Sequence, residues 1–232
     1  MRFETRHFHT TLGSARGLLA SGWTGRRVDV EAGYGPAGEW LDHCETSALP
    51  HPEYDAQFML EIAEREPQTL EGPLFRGRYF PTNLTPASED FGPPPAVLTG
   101  AGRYHVPGSP KLYLCSSLGG VVSELTPPSH EHQLWIQRFQ SPRLLRLLDA
   151  GTFHEHSLAV AAFWRVESQR DRGLTYARLG PRLAAIASER FDGMIVPGVR
   201  SANEPYFNVV LFHPERLWLD LLDCATSPSC AT

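Results

Sequence analysis

Apolar and polar positions follow helical spacing most clearly over residues 54–66, where Phe58, Met59 and Ile62 fall at i, i+1 and i+4 among acidic residues and Gln. Pro67 ends that run, so the pattern predicts an amphipathic helix. The stretch 81–95 carries a Pro93-Pro94-Pro95 run and cannot hold a helix or a central strand; it reads as a surface crossing. A Gly-flanked segment, 99–108, precedes a short β-compatible run, 111–115. Ser116 or Ser117 can then cap a short helix whose apolar face is Leu118, Val121, Val122 and Leu125, with Pro127-Pro128 as its stop. Residues 134–139 alternate like a strand, whereas 143–148 fit strand or helix equally. Residues 184–191 read as a helix led in by Gly180-Pro181, and 194–196 and 207–212 as buried strands parted by a polar turn, 198–205. Short strands mixed with few long helices predict an α+β fold.

Composition narrows the class. The 232 residues are 41% hydrophobic and 20% charged, and no apolar run approaches the ~20 residues of a membrane span. The balance of 21 basic against 26 acidic residues gives a net charge of −5, which argues against a nucleic-acid binder working by bulk electrostatics. Lys111 is the only lysine. The cysteines at 44, 115, 224 and 230 form no C-x-x-C pair and read as reduced thiols. The start lacks an apolar leader, so a cytoplasmic setting is expected.

Three segments carry candidate chemistry. Glu124 falls near the C-terminal end of its short helix, where the macrodipole disfavours a carboxylate; taken alone it reads as a solvated helix residue, and its company makes it a candidate. Upstream, Gly100-Ala101-Gly102-Arg103-Tyr104 brings an arginine out of a Gly-rich bend that lets backbone approach a ligand. Ser201 and Asn203 lie in the polar turn between two apolar strands, where a plain connection with local turn bonds is an equally good account. The triplets His130-Glu131-His132 and His154-Glu155-His156 could each offer a metal two ligands, but their loop-like settings read as solvated histidines, and no metal site is expected. No Gly-x-Ser-x-Gly elbow supports a hydrolase triad.

Together these blocks resemble the RES domain, the toxin module of RES-Xre toxin–antitoxin pairs. The first is Gly102-Arg103-Tyr104 through Gly108, then Leu112-Tyr113-Leu114-Cys115-Ser116, then Val121-Val122-Ser123-Glu124. The last is the strand 193–197, Ser201, and the strand 208–212; the early arginine block is Leu74-Phe75-Arg76-Gly77-Arg78-Tyr79. The family commonly has Trp or Phe then Asn where this chain has Tyr104-His105. The resemblance covers roughly 72–222, leaving 1–71 as an N-terminal extension and 223–232 as a C-terminal tail.

What the resemblance implies is a fold similar to the ADP-ribosyltransferases and cleavage of NAD at its nicotinamide–ribose bond. NAD is then a substrate, orthophosphate the co-substrate, and no cofactor is needed. Glu124, Arg103 and Ser201 are the implied catalytic set. Arg76, Arg78, Tyr79, Tyr104, Tyr113, Ser116 and Asn203 are the implied substrate contacts. An ADP-ribosyltransferase acting on a macromolecule and a catalytically silent binding module are the alternatives. An Xre-type antitoxin is the implied protein partner, and a homo-oligomer is left open.

Overall fold

A computed structural model of the chain describes residues 52–70, 72–126, 128, 131–139, 145–153, 157–163, 179–198, 206–215 and 226–230. The amphipathic segment forms helix α1 (Pro52–Ala63), whose proline sits in the first turn, where a missing N–H is no loss. Its buried stripe is Tyr54, Phe58 and Ile62, at a strict four-residue spacing. Met59, read from sequence as part of the apolar face, is turned to solvent with Leu60 (57% and 70% exposed), because one residue further rotates the side chain about 100° off the stripe.

The strands are β1 (Leu74–Pro81), β2 (Leu112–Cys115), β3 (His132–Phe139), β4 (Leu147–Asp149), β5 (Gly193–Pro197), β6 (Phe207–Leu211) and β7 (Thr226–Cys230). They form one seven-stranded sheet of order β4-β5-β6-β2-β1-β3-β7, in which β4 and β5 run parallel and every other pair antiparallel. Helices α2 (Leu118–Glu124), α3 (Leu158–Phe163) and α4 (Gly180–Ala187) complete an α+β arrangement. Helix α4 both starts and ends a turn earlier than the expected 184–191, because Pro181 is well suited to a first turn and Ser188 caps the end. Within the stretch 143–148, open between strand and helix, Leu147 and Leu148 begin β4.

Alternation along the strands divides the core. One face of the sheet presents Leu74, Leu112, Leu114, Trp135, Phe139, Leu147, Ile195, Val209 and Leu211, which cluster with Phe91 of a 3-10 turn in the proline-rich crossing. The opposite face, through Met194, Val196 and Val210, packs under α1, α3 and α4. On that same side Phe75, Cys115 and Ile136 pack with Val121 of α2.

Residues 52–66, which the sequence places in the N-terminal extension, are fastened to this core by polar contacts as well. The Glu61 carboxylate accepts from Leu158 N (2.7 Å) and Ala159 N (2.9 Å), capping α3 from another helix. Arg65 Nη1 donates to Thr152 O (2.7 Å), Arg190 donates to the carbonyls of Ile62 and Ala63 at the α1 terminus, and Arg182 pairs with Asp55. At the other end, residues 226–230 of the C-terminal tail add a strand to β3.

The two halves of the sheet meet at a narrow seam. β1 pairs with β3 along all eight residues and β2 with β6 along all four, but β1 and β2 register only at Phe75 opposite Cys115. Helix α2 lies across this junction: a Cβ on Gly77 of β1 would come within 2.4 Å of Val121 Cγ1, so only glycine lets strand and helix pack this closely.

Candidate active site

Helix α2 positions the acidic group. Ser117, with extended backbone, is its N-cap and accepts from Gly120 N (3.0 Å), so Ser117 rather than Ser116 takes the capping role. Ser116 instead clips β2 to β6: its N–H donates to Phe207 O and its Oγ accepts from Phe207 N, both at 3.0 Å. Seven residues on, Glu124 ends the helix and its Oε1 accepts from Tyr206 Oη and from Asn208 Nδ2, each at 2.8 Å. The Tyr206 ring reaches it through two gaps, since a Cβ on Gly120 would meet that ring at 2.6 Å and one on Gly198 at 2.3 Å. Beside it, burial pushes the Cys115 thiol up to about 12, the Glu124 charge adding to the effect; it is a neutral packing group.

A second cluster stands on the same face of the sheet. Gly102 and His105 bridge across a tight turn that places Arg103 and Tyr104 at its tip, and both are buried. A Cβ on Gly102 would lie 2.1 Å from His105 Cε1, so a larger residue there would push the imidazole out of place. Tyr104 stacks with Tyr113 of β2 at 6.5 Å between ring centroids, and Tyr113 Oη lies 2.9 Å from His105 Nδ1. Burial first, then the Lys111 ammonium, holds the His105 imidazole below its ordinary value. Lys111, itself lowered by burial, donates to Phe212 O (2.8 Å). Tyr113 and Cys115 alternate onto one face of β2, and their register partners Val210 and Asn208 onto the same face of β6, so the tyrosine pair and Glu124 line one side of the sheet.

Arg76 and Arg78 do not join them. Phe75 and Gly77 face α2, so the two arginines point to the opposite face, toward the proline-rich crossing. There Arg76 donates to Tyr113 O (3.0 Å) and Gly92 O (3.4 Å), and Arg78 to Asp90 O and Gly92 O (both 2.7 Å). Burial and the Arg78 charge bring Arg76 down to about 9, which leaves it charged at neutral pH. Tyr79, two residues beyond Gly77, shares the α2 side. Ser201 and Asn203 lie outside the described residues, as do His130 and the triplet 154–156. Among the described residues no three His, Cys, Asp or Glu side chains come together as a metal site, and no helix is long and apolar enough to cross a membrane.

The sequence pattern alone does not single out Tyr206 or Asn208. Asn208 left a signal: it is a polar residue in an otherwise apolar buried strand, and such a group must find a partner. Tyr206 left none, because it reads as the end of a turn.

Matched against known families, residues 75–219 fit the RES domain. The chain belongs to the RES domain family. The match begins inside β1 and spans both clusters, so Arg103, Glu124 and the strands presenting their neighbours all fall within the RES domain. One similar solved chain comes from the crystal structure of the M. tuberculosis MbcT-MbcA toxin-antitoxin complex: it is 15% identical, with 71% of this chain and 86% of that chain covered and a TM-score of 0.44. No curated protein matches the chain.

Proposed function

We propose that this RES domain degrades NAD by cleaving its nicotinamide–ribose bond, with orthophosphate as acceptor, in a toxin-like role. The observation that carries the reading is the placement of Glu124: a carboxylate at a helix terminus that disfavours it, held by Tyr206 and Asn208 on the side of the sheet that also bears Tyr104 and Tyr113.

The chemistry asks for these residue types. As the bond from ribose C1 to the pyridinium nitrogen breaks, its electron pair leaves with nicotinamide, which departs neutral and needs no proton. Positive charge develops on the sugar, and the Glu124 carboxylate opposes it. A phosphate oxygen then bonds to C1, giving ADP-ribose 1″-phosphate. The Arg103 guanidinium suits the pyrophosphate as a planar fork, and Tyr113, half-buried with the Tyr104 ring stacked behind it, offers a surface for an aromatic ring. Ser201, which resembles the family's serine in its turn between two apolar strands, completes the proposed catalytic set. Arg76 and Arg78 support binding of the same substrate less well, being tied to backbone carbonyls on the far face. An Xre-type antitoxin as partner and a cytoplasmic setting belong to the same reading.

Purified protein incubated with NAD, with and without phosphate, tests it by mass spectrometry. The expected products are nicotinamide with ADP-ribose 1″-phosphate, and Glu124→Gln, which keeps the shape and removes the charge, should slow turnover on the order of a hundredfold or more. Intact NAD in every preparation, freed of any inhibitor, would refute the reading; label transferred from NAD to a protein or nucleic acid would replace it with the transferase.

A further inference from the structure

From the hydrogen bonds that meet at Glu124, we infer that Tyr206 and Asn208 are positioning residues, whose donation to one carboxylate oxygen sets the orientation of the catalytic carboxylate. The inference rests on the proposed NAD-cleaving role of Glu124.

The terminal torsion of a glutamate is soft and broad, so a carboxylate at the end of a seven-residue helix has no preferred plane of its own. Tyr206 Oη and Asn208 Nδ2, both 2.8 Å from Oε1, supply one. Both donors are neutral, so they orient the anion without cancelling the charge that must face the developing cation, as an arginine or lysine in their place would. They also offset the unfavourable field of the helix terminus.

Rigidity comes from the frame behind them. Asn208 is registered in mid-sheet, opposite Cys115 on one side and Val196 on the other. Phe207, between the two donors, is clipped by both the N–H and the Oγ of Ser116. The Tyr206 ring is buried and gripped where Gly120 and Gly198 leave no side chain. A carboxylate held this way needs no reorganisation when charge appears on the sugar, which is how a fixed group contributes to rate rather than to binding.

Crystal structures and steady-state kinetics of Tyr206→Phe and Asn208→Leu, alone and in a Glu124→Gln background, test the assignment. Tyr206→Phe keeps the ring in its slot and removes only the donor, so it carries the test if Asn208→Leu does not fold. Each single variant should lose about tenfold in kcat with KM changed less than twofold, and its Glu124 carboxylate should leave the orientation seen here. In the Glu124→Gln background the same substitutions should cost nothing further. An unmoved carboxylate in the variant crystals, or an equal loss in the Glu124→Gln background, overturns the positioning role. If the wild-type protein leaves NAD intact, the NAD-cleaving reading fails by itself, while the variant crystal structures still decide whether these two residues orient Glu124.

Discussion

Gly119 and Gly120 sit side by side in the first turn of α2, and alanine at each separates helix propensity from packing. Neither adopts a positive φ, so alanine fits the backbone at both. At Gly119 a new Cβ meets nothing within 4 Å, and the substitution should stabilise the protein by roughly 0.5–1 kcal/mol through the less flexible unfolded chain. At Gly120 the same gain is opposed, because the Cβ would lie 2.4 Å from Cys115 Sγ and 2.6 Å from the Tyr206 ring. Neither neighbour is a loose end: Cys115 is on β2, and the ring is backed by Gly198. Overpacking of this kind costs about 1–3 kcal/mol. The propensity gain cancels between the two variants, leaving Gly120→Ala less stable than Gly119→Ala by about 1–3 kcal/mol, or roughly 2–12 °C in Tm. Urea unfolding followed by circular dichroism measures the difference, provided that both share one m value. The displaced ring should also cost Gly120→Ala its turnover while Gly119→Ala keeps it. Two variants of equal stability and equal turnover would refute the packing argument.

Glu61→Ala should cost about 1–3 kcal/mol, because the Leu158 and Ala159 amides at the start of α3 lose their acceptor; Glu61→Gln, keeping one carbonyl oxygen, should fall between, and an unchanged Tm in both would remove the cap from the account. For His105, whose folded value is lowered, the unfolded chain binds the proton more readily, so stability is full above about pH 6.5 and declines as pH falls through the folded value. His105→Asn should flatten that decline, and denaturation midpoints that fall just as steeply with pH in the variant would show that another group titrates. Arg103→Lys should raise KM for NAD while reducing kcat much less than Glu124→Gln does, since a point charge cannot replace a fork; a fall in kcat at constant KM would move Arg103 from binding to the transition state.

What the sequence made legible follows from which features are local. The strands around 193–197 and 207–211 and the short helix ending at Glu124 are written in runs and caps a few residues long, and they are where the sequence places them. The family resemblance rests on blocks of the same kind and holds. Facing is another matter: the direction of Arg76 and Arg78 depends on β1 pairing with β3 and on Gly77 receiving α2, neither of which the hexapeptide Leu74–Tyr79 states. The contact of Tyr206 and Asn208 with Glu124 spans more than eighty residues of chain and follows only from the order of strands. The pattern over 54–66 predicts helix α1, but its apolar stripe says nothing of what it packs against, and the Glu61 cap on α3 comes from a partner 97 residues away.

The single-residue junction between β1 and β2 has consequences for how the protein opens. A sheet with continuous ladders breaks as one unit, whereas this one is joined at Phe75 and Cys115 and otherwise bridged by side chains. Native-state hydrogen exchange should therefore resolve two cooperative blocks, one of β1 with β3 and one of β2, β5 and β6, with amides inside each sharing an opening free energy and the two blocks differing. Asn208 belongs to the block of β2 and β6, whereas helix α2, which carries Glu124, also packs on Gly77 of β1, so fluctuations that part the seam would act directly on the hydrogen bonds from Tyr206 and Asn208 to the carboxylate.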